Sequence, residues 1–323
     1  MAKKIIELIV PCYNEEKCIQ LFCDEIEALF ATKMNSFNYL ITFIDDGSYD
    51  KTVETIKSVK AGTSGKLNGS IQYISFSRNF GKEAAIYAGL ENSTGDYVAI
   101  MDADLQHPPE VLIDMLKAIE EEGYDCATAR RVSKRDESAV RRGGSHLFYR
   151  LFCKITGLNL LPGSTDYRLM TRGVVNAIMS LPERERFTKG IYSWIGFKNK
   201  WIEYQNVERI AGTTKWSTRG LFKYAYNGFI AFATTPLRIV VYLGMFVVIG
   251  AIIAAICVFA ITLRNGTTAS GFSTIMISML LLDGVIIMIL GVIGEYMARI
   301  YLEVKHRPVY IVREAKMGNI DEK

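Results

Sequence analysis

The sequence predicts an α/β domain with a mostly parallel sheet, followed by two membrane-spanning helices. Three observations predict this fold class. Short apolar runs alternate with helix-like stretches in the first 130 residues, as in parallel sheets covered by helices. Polar clusters follow four consecutive apolar runs. Two long stretches near the C-terminus carry almost no charge.

The predicted strands are short runs rich in β-branched and aromatic residues. They are residues 5–10, 39–44, 71–76, 97–101 and 126–129. Apolar residues at helical spacing predict helices within 16–30 and 52–59. A further helix after Pro109 is predicted to pack on the sheet through Val111, Leu112, Met115, Leu116 and Ile119.

Polar clusters follow the first four strands, where the carboxyl ends of parallel strands meet and ligands collect. The clusters are Pro11-Cys12-Tyr13-Asn14-Glu15, Asp45-Asp46-Gly47-Ser48, Arg78-Asn79-Phe80-Gly81-Lys82 and Asp102-Ala103-Asp104. Together they offer an aromatic ring, carboxylates and cations, which suit a nucleotide diphosphate. Each cluster alone also fits a turn or a surface ion pair, so their joint occurrence carries the prediction.

Asp102 and Asp104 stand one residue apart directly after the fourth strand. Side chains alternate along a strand, so both carboxylates can point to one side and share a hard divalent cation. A diphosphate would supply further oxygens. The alternative is an acidic loop that caps the next helix.

Residues 239–263 contain no charge, and residues 271–294 carry only Asp283. Each stretch exceeds the roughly 20 residues that cross about 30 Å of hydrocarbon, which predicts a tight hairpin of two spans; two buried core helices are the alternative. Basic residues flank the outer ends, which predicts cytoplasmic termini. Because a carboxylate is costly in the membrane, we expect Asp283 to face another helix or subunit.

Composition excludes several other classes. The N-terminal apolar stretch is broken by Glu7 and Pro11, unlike a signal peptide. The six cysteines have no paired CxxC spacing, so neither a zinc site nor a disulfide framework is predicted. The net charge is only +4, and basic residues gather beside the apolar stretches, which favours lipid headgroups over nucleic acid.

Five motifs occur in order: PCYNEE, IDDGSYDKT, SRNFGKEAAIYAGL, MDADLQHPPE and GSTDYRLM. Together they resemble the family 2 glycosyltransferases of GT-A fold, which is Rossmann-like with a mostly parallel sheet. Within these, they are similar to the polyprenyl-phosphate glycosyltransferases, which include dolichol-phosphate mannose synthase and bacterial bactoprenol glucosyltransferases. The resemblance runs from residue 5 to about 220, and two C-terminal spans fit the bacterial branch.

The resemblance implies roles for residues after each strand. It implies nucleoside contacts at Pro11, Tyr13, Glu15 and Asp46, with Asp45 as a neighbouring candidate. It implies a site for Mg²⁺ or Mn²⁺, shared with the diphosphate, at Asp102, Asp104 and Gln106. It also implies a basic element, of unspecified contact, at Arg78 and Lys82.

The acceptor side is expected between residues 125 and 220. Asp166 in GSTDYRLM resembles the family's catalytic-region aspartate; a helix-capping or core-paired acid is the alternative. Arg209 and Lys215 match the mobile loop in which family members hold acceptor phosphates, and a basic surface loop is the rival interpretation. The implied catalytic set is Asp166, Asp104, Arg209 and Lys215.

The predicted organisation has four parts: a catalytic domain with its acceptor loop at 1–215, an interfacial amphipathic helix at 216–235, two transmembrane helices within 236–299, and a cytoplasmic tail at 300–323. Residues 141–155 and 218–232 mix basic and aromatic side chains, as interfacial helices do, although ordinary domain packing is the alternative. A short strand at 307–313 is expected to pair with another subunit, because a lone strand needs a partner edge. A homo-oligomer is therefore expected.

The resemblance implies inverting transfer of a hexose, preferably glucose from UDP-glucose, to undecaprenyl phosphate at the cytoplasmic face of a bacterial inner membrane. The lipid-linked sugar would serve cell-envelope glycan modification. UDP-N-acetylglucosamine, UDP-galactose and GDP-mannose stay open as donors. A processive synthase is less favoured, because the stretch QNVER at 205–209 lacks the QxxRW motif. The rival from another class is a non-catalytic membrane protein that binds nucleotide sugars beside a flippase.

Overall fold

The computed structural model describes residues 3–59, 69–131, 150, 152–158, 163–181, 183–184, 186–205, 235–265 and 271–317. The chain forms two compact units. One comprises Met1–Lys223 and Pro308–Lys323, and the other comprises Tyr224–Arg307.

The first unit is an α/β domain, as predicted. Its strands are β1 (Ile5–Cys12), β2 (Asn38–Asp45), β3 (Gly69–Phe76), β4 (Tyr97–Ile100), β5 (Cys126–Arg131), β6 (Ser164–Thr171), β7 (Asn199–Tyr204) and β8 (Val312–Lys316). Within the described ranges they form one sheet in the order β7-β5-β6-β4-β1-β2-β3-β8. Only β6 and β8 run against their neighbours; the other described pairings are parallel.

The helices of the first unit connect these strands. They are α1 (Ile19–Thr32), α2 (Thr52–Ser58), α3 (Lys82–Glu91), α4 (Val111–Glu120), α5 (Arg172–Met179) and α6 (Thr188–Trp194). The five predicted strands are confirmed, as are the predicted helices at α1, α2 and α4. The sequence analysis did not predict β6 and β7. In β6, the alternation of polar Asp166 and Arg168 with apolar Tyr167 and Leu169 is the signal that predicts a strand.

The core lies between the sheet and the helices. On α1, the buried residues recur at three- and four-residue spacing, so one stripe of the helix faces the sheet. Phe22 of α1 meets Phe43 of β2 with ring centroids 6.0 Å apart. On α3, a Cβ at Gly89 would lie 2.2 Å from Ile9 Cγ2. Glycine at this position therefore lets α3 approach β1 closely, and α3 begins at Lys82.

The C-terminal strand corrects one expectation. The strand predicted at 307–313 lies further along the chain, at β8 (Val312–Lys316), and it pairs with β3 of the same chain rather than with another subunit. β2 pairs with one edge of β3, and the C-terminal tail covers the other edge. The tail is also fixed by Tyr310, whose ring stacks on Phe76 with centroids 4.9 Å apart and whose hydroxyl donates to Glu91 at 2.6 Å.

The second unit contains two long helices, α7 (Thr235–Asn265) and α8 (Phe272–Val304). By length and composition, one stretch of the described residues, Leu282–Val304, is able to cross a membrane, and Ile239–Ile253 is a shorter apolar stretch. One candidate span is thus found where two were predicted, and it begins further along the chain than the predicted 271–294. The predicted interfacial helix at 216–235 lies outside the described residues except for Thr235, and 141–155 is described only at 150 and 152–155.

Candidate active site

The site lies at the carboxyl edge of β1 to β4 and includes the beginning of β6. Ile100 of β4 pairs with Arg168 of the antiparallel β6. The same register, continued by two residues, places Asp102 opposite Asp166. Asp166 and Arg168 share one face of β6, because Tyr167 between them is buried in the core on the other face. Two motifs that are distant in sequence therefore each bring an aspartate to one place.

Lys82 joins these two aspartates. Its Nζ lies 2.7 Å from Asp102 Oδ1 and 2.9 Å from Asp166 Oδ2. The contact that the sequence analysis left open for Lys82 is thus an ion pair with both acids. It forms because α3, which starts at Lys82, packs closely on the sheet.

The charges of this cluster stabilise one another. Burial alone would raise the pKa of both carboxyls, but Lys82 outweighs burial and holds the pKa of Asp102 well below its usual value. Lys82, helped by Lys189, likewise lowers the pKa of Asp166 to about 2. Burial would lower the pKa of Lys82, yet the two carboxylates raise it above its usual value. All three cluster groups are therefore charged at neutral pH.

His107 also contacts the cluster, although the sequence analysis did not select it. Its Nε2 lies 3.7 Å from Asp102 Oδ2, and its Nδ1 lies 2.5 Å from Tyr204 Oη. The imidazole is buried and packs against the Tyr167 ring. Burial raises the pKa of Tyr204 to about 12, so the phenol keeps its proton. The only sequence signal for His107 is its place in the motif MDADLQHPPE.

The proposed metal donors are all partly accessible. Asp102, Asp104 and Gln106 are half-buried, whereas the residues between them are buried. Leu105 has φ +54°, a left-handed conformation that is uncommon for leucine and often found at functional sites. The described part of the chain groups no three His, Cys, Asp or Glu side chains for a metal ion. The carboxylate oxygens fit Mg²⁺ or Mn²⁺ in chemistry, with further oxygens needed from a ligand.

Asp45 and Asp46 turn inward instead. Asp45 is 1% exposed and accepts a hydrogen bond from Ser75 Oγ at 2.7 Å. Asp46 is 4% exposed and accepts from the backbone N–H groups of Phe80 at 2.6 Å and Gly81 at 2.9 Å. Burial raises the pKa of Asp46 in spite of these bonds. Asp46 thus fixes the loop that leads into α3, and Asp45 ties the end of β2 to β3.

The other predicted nucleoside residues lie in the loop after β1. Pro11 is at the end of β1 and is half-buried. The Tyr13 ring meets the exposed Tyr49 ring edge to face, with centroids 6.4 Å apart. The Glu15 N–H donates to Thr52 Oγ1 at 2.9 Å. The loops after β1 and β2 are therefore joined at the same edge of the sheet.

Arg78 lies in the loop after β3, apart from the Lys82 ion pairs. It is exposed, and its guanidinium lies 3.9 Å above the Phe80 ring. Gly47, with φ +69°, packs against it, because a Cβ there would lie 2.4 Å from the Arg78 carbonyl carbon. The predicted acceptor-loop residues Arg209 and Lys215 lie outside the described residues.

Comparison with known proteins identifies the family. Residues 7–178 match glycosyl transferase family 2. The chain belongs to this family. A glycosyltransferase of Bacillus subtilis (strain 168) is 43% identical over 321 residues, which is 99% of this chain and 95% of that protein. The SfII prophage-derived bactoprenol glucosyl transferase of Shigella flexneri is 36% identical over 314 residues, which is 97% of this chain and 99% of that protein.

Among solved structures, mannosyl-3-phosphoglycerate synthase from Rubrobacter xylanophilus matches with a TM-score of 0.45 and 18% identity, over 69% of this chain and 71% of that chain. This likeness is too low to carry a functional conclusion. The family match confirms that the chain is a glycosyltransferase enzyme, as the resemblance implied, with a GT-A domain of mostly parallel sheet.

The edge of this family 2 glycosyltransferase presents two kinds of group. Asp102, Asp104 and Gln106 are half-buried, and their side-chain oxygens are suited to a hard cation. Lys82 supplies a positive charge that Asp102 and Asp166 hold in place. The arrangement is suited to a phosphate ester that leaves with negative charge.

Proposed function

We propose that this glycosyltransferase moves a hexose, with glucose from UDP-glucose as the first donor to test, to a polyprenyl phosphate such as undecaprenyl phosphate. The proposed location is the cytoplasmic face of a bacterial inner membrane. The observation that carries the proposal is the end-to-end similarity to a bactoprenol glucosyl transferase, which includes the C-terminal helices as well as the catalytic domain.

The proposed cation site is formed by Asp102, Asp104 and Gln106. Mg²⁺ or Mn²⁺ bound there would neutralise the charge that develops on the nucleoside diphosphate leaving group. The role of the protein is to hold ionised carboxylate oxygens in place for the cation. Lys82 and His107 contact Asp102 and favour its ionised form. With its charge neutralised by the bound cation, the leaving group would need no proton.

Asp166 is proposed to orient the acceptor or the sugar. With a pKa of about 2, it is a weak base at neutral pH. A phosphate monoester has a second pKa of about 6, so the acceptor is already largely ionised and needs no strong base. A single displacement would invert the anomeric centre and turn an α-linked donor into a β-linked lipid product.

The nucleoside is proposed to bind beside Pro11, Tyr13 and Glu15. Asp45 and Asp46 belong to the same edge, although their carboxylates already accept internal hydrogen bonds. An ionised carboxylate accepts up to about four hydrogen bonds, so capacity is left for a base N–H or a ribose hydroxyl. Arg78 is proposed to supply positive charge near the diphosphate.

The two long helices are proposed to form a membrane hairpin with both chain ends in the cytoplasm. α7 has 31 residues and α8 has 33, and each is longer than the roughly 20 residues that a span requires. The hairpin would anchor the enzyme in the membrane that holds the acceptor, and the interfacial segment at 216–235 and the loop with Arg209 and Lys215 are proposed to serve the acceptor side. A homo-oligomer is also proposed, with an interface other than β8, because β8 pairs within the chain.

The test uses full-length protein purified in detergent with undecaprenyl phosphate, Mg²⁺ and a panel of nucleotide sugars. Mass spectrometry follows the lipid-linked sugar. The expected result is transfer of one hexose, with UDP-glucose preferred; preference for another donor would change only the sugar. Folded protein that binds nucleotide sugars but transfers none of them would overturn the proposal.

A further inference from the structure

A cavity of about 250 Å³ lies in the catalytic domain between β5, β6, β7 and the helices α5 and α6. Its lining includes Arg168, Lys189, Tyr192, Phe197 and Trp201. No residue assigned above to the cation or the nucleoside lines it, but the cavity adjoins the Lys82 cluster, because Lys189 in its lining also lowers the pKa of Asp166.

Arg168 has a buried guanidinium in this cavity, and one of its nitrogens has no hydrogen-bond partner. The residue is 4% exposed, and its Nε has no hydrogen-bond partner. The guanidinium carbon lies 3.3 Å from the centroid of the Tyr192 ring, Nη2 makes a long contact of 3.4 Å to the Thr165 carbonyl, and the Cys126 thiol is a further side-chain hydrogen-bond neighbour. Within the described ranges, no carboxylate forms an ion pair with it. Burying a charge without an anionic partner is costly, so an external anion would satisfy a need that the protein leaves open.

Tyr192 has a second unsatisfied group in the same cavity. Its hydroxyl is buried and has no hydrogen-bond partner. Lys189, three residues earlier on α6 and therefore on the same helix face, also lines the cavity. The lining thus contains two cationic side chains and a hydroxyl, and none of its described residues is acidic. The lining itself therefore favours an anion, and a carboxylate outside it that acts on Lys189 is Asp166 of the Lys82 cluster.

We propose that this cavity binds the phosphate of a phosphate monoester, with Arg168 and Lys189 as the positive charges and the Tyr192 hydroxyl as a further donor. A guanidinium suits phosphate because its planar N–H groups match two phosphate oxygens at once. The phosphate is either the head of the polyprenyl phosphate acceptor, which rests on the proposed function, or free phosphate, which does not. Phe197 lines the cavity and is 37% exposed, which suits the first carbons of a lipid chain.

The binding test measures thermal unfolding of the full-length protein in detergent, with inorganic phosphate titrated against sodium chloride at equal ionic strength. The variants are Arg168→Gln and Tyr192→Phe. The matched control is Lys200→Gln, a lysine outside the cavity that pairs with Glu122 on the surface. Wild type and control are expected to be stabilised saturably by phosphate. Arg168→Gln should weaken phosphate binding by about tenfold or more, because a charge-assisted pair is lost, and Tyr192→Phe should weaken it less.

Transfer kinetics with geranyl phosphate, a short acceptor, then show whether the bound group is the acceptor head or free phosphate. If Arg168→Gln raises the KM for geranyl phosphate and leaves the KM for the nucleotide sugar unchanged, the bound group is the acceptor head. If both KM values are unchanged while phosphate binding is lost, the bound group is free phosphate. A raised KM for the nucleotide sugar would overturn the assignment.

The proposal would also be overturned if phosphate did not stabilise wild type, or if it stabilised Arg168→Gln as much as wild type. If Arg168→Gln does not fold, Tyr192→Phe decides, and unchanged phosphate affinity in that variant would contradict the proposal. Binding needs no turnover. If phosphate stabilises the protein in an Arg168-dependent way but no donor supports transfer, the proposed function is contradicted and this phosphate site is still supported.

Discussion

The two acid pairs after β2 and β4 look alike in sequence but differ in the structure. Asp45 and Asp46 are almost fully buried, and their carboxylates accept hydrogen bonds from the protein's own hydroxyl and N–H groups. Asp102 and Asp104 are half-buried, and Asp102 is held by Lys82. The pKa shifts run in opposite directions, up for Asp46 and down for Asp102. Internal hydrogen-bond donors satisfy Asp45 and Asp46, which therefore stabilise the fold. Positive charge stabilises Asp102, which is why the pair after β4 is the one we propose for cation binding.

The largest expected effect tests the pair after β4. Asp102→Asn removes a charge from the cation site and leaves Lys82 with one carboxylate partner instead of two. We predict a loss of transfer rate of about 10²- to 10³-fold, as for the loss of one preorganised electrostatic group. Initial rates of lipid-linked hexose formation measure it, with Asp114→Asn as control, because Asp114 is exposed on α4. A rate close to wild type would remove the distinction between the two pairs.

The pair after β2 should respond in stability more than in rate. Asp46→Ala leaves the N–H groups of Phe80 and Gly81 without their acceptor, at a cost of about 1–3 kcal/mol for a buried unsatisfied group. We predict a lower melting temperature and, per folded molecule, a smaller loss of rate than in Asp102→Asn. Asp24→Ala, on the exposed face of α1, is the control. An unchanged melting temperature would show that Asp46 is not a scaffold residue.

The Lys82 cluster predicts a dependence on pH. The lowered pKa of Asp166 contributes stability that is present above its unfolded value of about 3.9. That stability is lost as the pH falls toward its folded value of about 2. Because Lys82 is 39% exposed, we expect Lys82→Gln to cost about 1–2 kcal/mol at neutral pH, less than a fully buried pair.

The difference in melting temperature between wild type and Lys82→Gln should therefore shrink as the pH is lowered through this window. Melting curves at several pH values measure the difference. A difference that stays constant down to the lowest pH would mean that the ion pairs do not stabilise the fold.

The smallest effect concerns the tail. Tyr310→Phe keeps the ring stacked on Phe76 but removes the hydrogen bond to Glu91, at an expected cost of about 0.5–1.5 kcal/mol. Limited proteolysis of the tail should become faster, while the transfer rate should change little. Lys57→Ala, which removes an exposed ion pair with Glu314, should have a smaller effect, because solvent screens exposed pairs. Equal proteolysis in all three proteins would show that the hydroxyl does not fix the tail.

Local pattern was sufficient to predict much of this fold. The alternation of apolar runs and helical spacing predicted β1 to β5, and the strand-end rule predicted that Asp102 lies at the ligand edge. The contact between Lys82 and Asp166 was not predictable in this way, because it depends on the register between β4 and β6 and on the close packing of Gly89. His107 and the partner of β8 were missed for the same reason, since distant strands and an open sheet edge leave no local signal.

Hexose transfer to a lipid phosphate is proposed to depend on the Asp102–Asp104 edge and a divalent cation. The most direct measurement is the initial rate of transfer from UDP-glucose to undecaprenyl phosphate by wild type and Asp104→Ala, with Mg²⁺ and with EDTA. We predict transfer by wild type that stops with EDTA, and a loss of about 10²-fold or more in Asp104→Ala. Full activity of Asp104→Ala, or wild-type transfer that EDTA does not affect, would contradict the claim.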